Sequence, residues 1–230
     1  MSFISGAYVI SMYHNKWRWD NFLKNISDDR LKRYRGVDTR TQFKAGKWLA
    51  KTGYELCPDS IETNLYFSQG PGAVGCYLAH VHMWQRAVVR GHEWTLIMED
   101  DADVMDVKQV LEINPAEHRG YFGDYNNYDI IQLNRRTQTV RTFNGTEAYM
   151  ISQSGAQKLV DIATSDKVIT TAVDKFIGQQ CESNLHAIIK PRVGLNNYSS
   201  DIIISEDKYW MMNDSELQEF KQTDDYKWWL

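Results

Sequence analysis

The sequence has little cysteine and no long apolar run, and both shortages narrow the class of protein. Its 230 residues include three cysteines, Cys57, Cys76 and Cys181, with no CxxC pair. This argues against a disulfide framework or a structural zinc site and predicts a reducing, cytoplasmic location. No apolar run approaches the roughly 20 residues of a membrane-spanning helix. The N-terminal residues lack the basic region of a secretory signal and are interpreted as the first strand.

The sequence also lacks the Gly-x-Ser-x-Gly motif, so covalent hydrolase chemistry has little support. Hydrophobic residues make up 43% and charged residues 24% of the chain, as in an ordinary folded globular protein. The aromatic fraction of 13% is high, which suits a thick core or a surface on which sugars and bases stack.

Positive charge is concentrated near the N-terminus, although the formal net charge is −4. Residues 16–51 hold eleven Lys or Arg and four Asp, a charge of +7, which leaves −11 for the rest. Such a region would attract a diphosphate, an anionic acceptor or a membrane surface. For any single Lys or Arg there, a solvated helical face is the simpler interpretation.

Strand and helix patterns alternate along the chain and predict an α/β layered sheet in one domain. This domain covers 1–205, with a C-terminal extension over 206–230. The predicted helices are Trp17–Ile26, Arg40–Lys51, Cys76–Arg90, Val104–Leu111 and one from the N-cap Ser152 through Asp161. The predicted strands are Ala7–Met12, Trp94–Met98, Tyr128–Leu133, Ala148–Ile151 and Leu185–Lys190, the last stopped by Pro191.

Four carboxylates follow one predicted strand within five residues, at Glu99, Asp100, Asp101 and Asp103. Such a cluster is costly unless a cation or strong hydrogen-bond donors neutralise it. On an extended backbone Glu99, Asp101 and Asp103 would share one side. They would then offer the hard oxygen ligands that Mg²⁺ or Mn²⁺ prefers, beyond a strand end where α/β proteins bind ligands. The alternative is an acidic loop that caps the next helix, because an Asp-x-Asp pair alone is weak evidence.

Residues 70–75, GPGAVG, formally fit the G-x-G-x-x-G fingerprint of dinucleotide-binding proteins. The context is poor, because the preceding segment is short and half polar. Pro71 also removes a backbone N–H where a pyrophosphate would need one. We expect the loop to position the following helix, and an NAD(P)-dependent oxidoreductase is the weaker alternative.

Two single residues have both a structural and a functional interpretation. Asp174 follows the stretch Val168–Val173 and is either a helix N-cap or an acid/base group, and the pattern alone favours the cap. His80, next to the glycine loop, is either a hydrogen-bonded structural histidine or a contact to donor or acceptor.

Several segments, taken together and in order, resemble family 25 of the glycosyltransferases. This family contains lipooligosaccharide galactosyltransferases and collagen galactosyltransferase domains. The resemblance rests on 72–84 (GAVGCYLAHVHMW), 96–101 (LIMEDD), 145–159 (GTEAYMISQSGAQKL), Val173-Asp174 and the stretch from Pro191 to Ile202. Ala79 departs from the family pattern, which usually has Ser there.

The resemblance implies a GT-A-type fold, a nucleotide-binding α/β/α sandwich, and an inverting reaction. It also implies a divalent cation, Mn²⁺ or Mg²⁺, held by Asp101. Asp103 is expected as the second ligand only from the strand alternation, because it is not part of the family pattern. Asp174 would be the base that deprotonates the acceptor. Donor-binding residues would be Asp38, Gly75, His80, Glu99, Asp100 and Tyr149.

The prediction is therefore metal-dependent transfer of a hexose, galactose or glucose, from a UDP-sugar to a hydroxyl of a glycan, glycolipid or protein. No nucleic-acid partner is expected, and peripheral membrane contact is compatible with the missing transmembrane segment. An inactive carbohydrate-binding module is a further alternative, against which the acidic cluster argues.

Overall fold

A computed structural model describes residues 4–57, 71–112, 127–137, 139 and 143–196 of the chain. The predicted extension over 206–230 and the first glycine of the 70–75 loop lie outside these residues.

The described strands form one large mixed sheet and a small second one. The strands are β1 (Ile4–Ser11), β2 (Leu31–Arg35), β3 (Glu55–Leu56), β4 (Trp94–Glu99), β5 (Ile130–Asn134), β6 (Ala148–Ser152), β7 (Val168–Ile169) and β8 (Ala187–Val193). The large sheet has the order β2–β1–β4–β6–β5–β8, and β3 pairs with β7. β1 is parallel to β2 and β4, whereas β6 runs antiparallel to β4 and β5. The carboxyl ends of β1, β2 and β4 therefore meet at one edge.

The helices agree in position with most of the helical patterns of the sequence. They are α1 (Lys16–Asn25), α2 (Gln42–Thr52), α3 (Gly72–Arg90), α4 (Val104–Glu112), α5 (Gln153–Ser165) and α6 (Val173–Ser183), with a 3₁₀ turn at Tyr13–Asn15. Ser152 caps α5 as predicted, because its side chain accepts a hydrogen bond from the N–H of Gly155. α3 begins at Gly72, earlier than the predicted Cys76. Among these helices, none is both long and apolar enough to cross a membrane.

Two apolar cores lie on opposite faces of the large sheet. Along β4 the side chains alternate, so that Ile97 joins the core built with α3, α5 and α6, whereas Leu96 and Met98 join the core with α1 and α4. Trp84 of α3 and Phe22 of α1 are completely buried in the two cores. This arrangement confirms the predicted single-domain α/β/α sandwich.

The prediction that Pro191 stops the last strand is wrong. β8 continues through Pro191 to Val193. The physical reason is its place in the sheet: among the described strands, β8 lies at the edge and pairs with β5 alone. A proline lacks the backbone N–H, and an edge strand tolerates this on its unpaired side.

Candidate active site

A pocket opens at the edge where β1 and β4 end, and we call it the strand-end pocket. Its walls come from the end of β1, the segment 36–40 after β2, the first half of α3, and Glu99 with Asp100. Ile10 of β1 and Glu99 of β4 are paired in register, so the two strand ends are adjacent. Ligands of α/β sheets bind beyond the carboxyl ends of strands, and the pocket has this position.

The acidic segment, residues 99–103, does not continue β4 as an extended chain. The N–H of Ala102 donates to the carbonyl of Glu99 at 3.2 Å, which closes a turn, and Ala102 pairs with Leu195. The N–H of Asn196 also donates to the carbonyl of Asp101 at 2.8 Å. The predicted strand-like alternation through Asp103 is therefore wrong, because the chain around Leu195 holds these residues in a turn.

Asp100 is neutralised by an arginine from α1. Arg18 Nη1 lies 2.8 Å from Asp100 Oδ1, and both side chains are buried. Asp100 also forms part of the pocket wall. One of the four carboxylates is thus compensated by the protein itself.

Asp101 is not compensated in this way. Its Oδ1 is buried and has no hydrogen-bond partner within the described part of the chain. Burial, together with the negative charges of Glu99 and Asp100, raises the pKa of Asp101 to about 7. A buried carboxylate oxygen without a donor is costly, and a cation at this position would remove the cost.

Asp103 caps the helix that follows. Its Oδ1 accepts hydrogen bonds from the N–H groups of Met105, at 2.9 Å, and Asp106, at 3.0 Å, at the start of α4. This is the alternative that the sequence offered for the acidic loop. Asp103 therefore has a structural role, whatever its role toward a cation.

Glu99 accepts several hydrogen bonds at the pocket wall. Its Oε1 receives the hydroxyl of Thr146 and lies 3.4 Å from His80 Nε2 and 3.9 Å from Cys76 Sγ. Burial acts to raise the pKa of Glu99, but hydrogen bonds from His80 and Thr146 outweigh it and hold this pKa below its usual range. Glu99 is therefore ionised.

His80 is held from behind by two aromatic residues. Its Nδ1 lies 2.8 Å from the hydroxyl of Tyr149, and the indole N–H of Trp84 donates to the same hydroxyl at 2.9 Å. Both side chains are fully buried, but of the two only His80 forms part of the pocket wall. Tyr149 thus orients His80 and does not itself line the pocket.

Gly75 allows α3 to approach the segment 36–40. A Cβ atom at Gly75 would lie 2.2 Å from the carbonyl oxygen of Val37 and 2.4 Å from Thr39 Oγ1. Asp38 in this segment pairs with Arg40 at 3.0 Å and Lys44 at 2.6 Å. These pairs hold the pKa of Asp38 far below its usual range against the opposing effect of burial. Asp38 thereby positions Arg40, which lines the pocket.

Asp174 lies in the first turn of α6 and is not its N-cap. The N-cap is Ala172, so the prediction of an Asp174 cap is wrong. Asp174 Oδ2 instead accepts from the N–H of Gly145 at 3.1 Å, and Oδ1 from that of Lys175 at 2.8 Å. The negative charge of Asp174 contributes to the raised pKa of the Cys76 thiol, after the larger effects of burial and of Glu99.

The predicted site residues did not include four residues that the structure places at the site: Arg18, Arg40, Cys76 and Thr146. Arg18 is one of eleven basic residues in 16–51, and nothing in its pattern distinguished it. Cys76 had a usable signal, since Cys76 and His80 are four residues apart on one helix and share a face.

A mixed α/β sandwich with a carboxylate-lined pocket beyond its parallel strand ends defines a ligand-binding α/β protein. The chain belongs to glycosyltransferase family 25 (LPS biosynthesis protein), whose sequence model matches residues 5–177. All predicted site residues fall within this match. Among solved structures, the glycosyltransferase GlyE of Streptococcus pneumoniae TIGR4 is similar, with 12% identity and a TM-score of 0.40. The match covers 98% of this chain and 62% of that one, so the chain spans less than two thirds of the GlyE structure.

Proposed function

We propose that the protein transfers a hexose, galactose or glucose, from a UDP-sugar to a hydroxyl of a glycan, glycolipid or protein. Membership of glycosyltransferase family 25 supports sugar transfer. The binding of a donor and a cation is supported by one observation above all. The residue after Asp100 of the pocket wall, Asp101, has a buried oxygen without a hydrogen-bond partner in the described chain. A cytoplasmic location stays a prediction from the sequence.

The described residues fit a hard divalent cation, Mn²⁺ or Mg²⁺. Asp100 is ion-paired with Arg18, and one oxygen of Asp103 is used by the α4 cap. Asp101 has a buried oxygen without a hydrogen-bond partner and no ion pair among the described residues, so it is the proposed principal ligand. Asp103 is the proposed second ligand. When bound, such a cation stabilises the negative charge that develops on a departing nucleotide diphosphate.

The chain's own residues would bind the donor and move one proton. Arg40 at the pocket wall supports binding of an anionic donor, and ionised Glu99 can accept a hydrogen bond from a ribose hydroxyl. In an inverting reaction the acceptor oxygen forms a bond to the anomeric carbon while the bond to the nucleotide oxygen breaks. Asp174 is the proposed base that takes the acceptor proton, a role that typically contributes about 10²–10⁴-fold.

The first test is thermal unfolding with UDP, UDP-galactose, UDP-glucose, GDP-mannose or NAD, each with and without Mn²⁺. A ligand that binds the folded state stabilises it, by about 2.7 kcal/mol at one hundred times its dissociation constant. We expect one UDP-sugar to raise the unfolding temperature only when Mn²⁺ is present. On long incubation we expect that UDP-sugar to be hydrolysed to UDP.

Asp101→Asn should abolish both the Mn²⁺-dependent shift and the release of UDP. Asp20→Asn is the matched control, because Asp20 is exposed and pairs with Lys16 away from the pocket. If the Asp101→Asn protein kept the full Mn²⁺-dependent thermal shift, the assignment of Asp101 as the cation ligand would be contradicted. A metal-independent shift with NAD alone would favour the oxidoreductase that the glycine loop suggested.

A further inference from the structure

Three side chains with metal-ligating atoms meet at the inner wall of the strand-end pocket. Cys76 and His80 lie one turn apart on α3, and Glu99 ends β4. Cys76 Sγ, His80 Nε2 and Glu99 Oε1 all lie within 4.8 Å of one another. The hard-cation proposal uses neither the thiol nor the imidazole.

We propose that Cys76, His80 and Glu99 form a binding site for a borderline-soft divalent cation, with Zn²⁺ as the matching ion. Tetrahedral Zn²⁺ with Zn–N and Zn–O bonds of about 2.0 Å and a Zn–S bond of about 2.3 Å needs ligand atoms roughly 3.3–3.6 Å apart. The observed separations are 3.4 Å from His80 to Glu99 and 3.9 Å from Cys76 to Glu99. The third separation, between the ligand atoms of Cys76 and His80, is within 4.8 Å. Side-chain movements would therefore bring three ligands onto one ion, and the Glu99 contacts need only a few tenths of an ångström.

Two of the three ligands are already oriented by a second layer of hydrogen bonds. Tyr149 holds Nδ1 of His80, so Nε2 is the nitrogen that faces Glu99. Thr146 donates its hydroxyl to Glu99. Protein zinc sites use this arrangement, in which the second ring nitrogen of a ligating histidine is hydrogen-bonded and the carboxylate ligand is anchored.

The site is open on one side, because all three residues form part of the pocket wall. Three protein ligands and one open position are the pattern of a zinc ion that also binds water or substrate. On binding, the Cys76 thiol must release its proton to solvent, since the thiolate is the ligand. The sulfur and nitrogen donors select Zn²⁺ or Co²⁺ over Mg²⁺, whereas the carboxylates of the acidic segment favour Mg²⁺.

The experiment is a titration of the full chain with Zn²⁺ and, in parallel, with Co²⁺, in the presence of excess Mg²⁺ to occupy hard-ligand sites. We expect one high-affinity equivalent of Zn²⁺, release of protons on binding, and a thiolate-to-cobalt charge-transfer absorption with Co²⁺. Cys76→Ser should lose the cobalt absorption and the high-affinity equivalent. Cys181→Ser is the matched control and should retain both.

A conservative variant protects the test against misfolding. Tyr149→Phe keeps the buried ring and removes the hydroxyl that holds His80, so Zn²⁺ affinity should fall by about 10–100-fold, as for other partners of ligating residues. Zn²⁺ binding that is unchanged in folded Cys76→Ser, or a cobalt spectrum without the thiolate band in the wild type, would overturn the proposal.

If the proposed function holds, Zn²⁺ binding at Cys76, His80 and Glu99 should also affect binding of the UDP-sugar donor. A cation bound to Glu99 and His80 would occupy the pocket wall, so Zn²⁺ should reduce the Mn²⁺-dependent stabilisation by UDP-sugar, and Cys76→Ser should be less sensitive. The zinc-site proposal and the proposed function are tested by separate measurements, so a failure of one can be distinguished from a failure of the other. Zn²⁺ titration and the cobalt spectrum require no donor, and the donor shift is measured without Zn²⁺.

Discussion

Arg18 of α1 and Asp100 of the acidic segment form a buried ion pair across 82 residues of sequence, with 2.8 Å between Nη1 and Oδ1. The exposed fractions of the two side chains are 5% and 7%. The pair joins the helix that follows β1 to the turn that follows β4. It therefore fixes the acidic segment against the outer helix layer and leaves Asp101 as the carboxylate without such a partner in the described chain.

Arg18→Met should destabilise the protein strongly, because it leaves the Asp100 charge buried without its partner. Breaking a buried pair typically costs about 3–5 kcal/mol, and this would appear as a lower urea midpoint. Lys16→Met, which breaks the exposed pair with Asp20 on the same helix, should cost less than about 1 kcal/mol. If Arg18→Met and Lys16→Met lost equal free energies of unfolding, the inference that burial makes the Arg18–Asp100 pair the stronger one would be contradicted.

Asp101→Asn should stabilise the metal-free protein at pH 8 while it removes the Mn²⁺ response. The pKa of Asp101 is about 7 in the fold, above the ordinary value of 3.8 for an aspartate, because of burial and the negative charges of Glu99 and Asp100. The folded state therefore binds more protons between these values, and the free energy of unfolding falls as pH rises through them. The increase in the free energy of unfolding that Asp101→Asn produces should be larger at pH 8 than at pH 5. Urea unfolding at both pH values checks this, and a variant less stable than the wild type at pH 8 would refute it.

Gly75→Ala should destabilise the protein although alanine is the better helix former. The added Cβ would meet the carbonyl of Val37 at 2.2 Å, and backbone cannot move aside cheaply. Gly46→Ala in α2 is the matched control, because its Cβ would meet nothing within 4 Å. That control should gain about 0.5–1 kcal/mol from helix propensity. Thermal unfolding of both variants measures the difference, and a stabilised Gly75→Ala would refute the close approach.

His82 should make the protein less stable in acid. Burial, with a smaller effect of Lys51, lowers the pKa of His82 from 6.5 to about 4. The unfolded state then binds more protons between these values, so stability is lost as pH falls from 6.5 toward 4. The loss of unfolding free energy has an upper limit of roughly 3.5 kcal/mol, at about 1.4 kcal/mol per pKa unit. His82→Gln should show a shallower decline of the urea midpoint between pH 7 and pH 4.5. Parallel declines would exclude His82 as the cause.

The sequence predicted those parts of the site whose signals are local. The buried strand that ends in Glu99 and Asp100 was visible because an apolar run stops at a cluster of carboxylates. The helix cap at Ser152 was visible because its hydrogen bond closes within three residues. The strand through Pro191 was missed because its tolerance depends on the edge position of β8, which no local pattern encodes.

By itself, the sequence determined the layered α/β architecture and the carboxylates at the end of β4, because apolar periodicity and strand ends are properties of contiguous residues. Only the tertiary structure decided how each carboxylate is used. Asp100 meets Arg18, Asp103 caps α4, and Asp101 keeps a buried oxygen without a partner among the described residues. The tertiary structure also brings His80, Tyr149 and Glu99 together. Such partners are far apart in sequence and become neighbours only when helices pack on the sheet, so their pairing is set by three-dimensional packing.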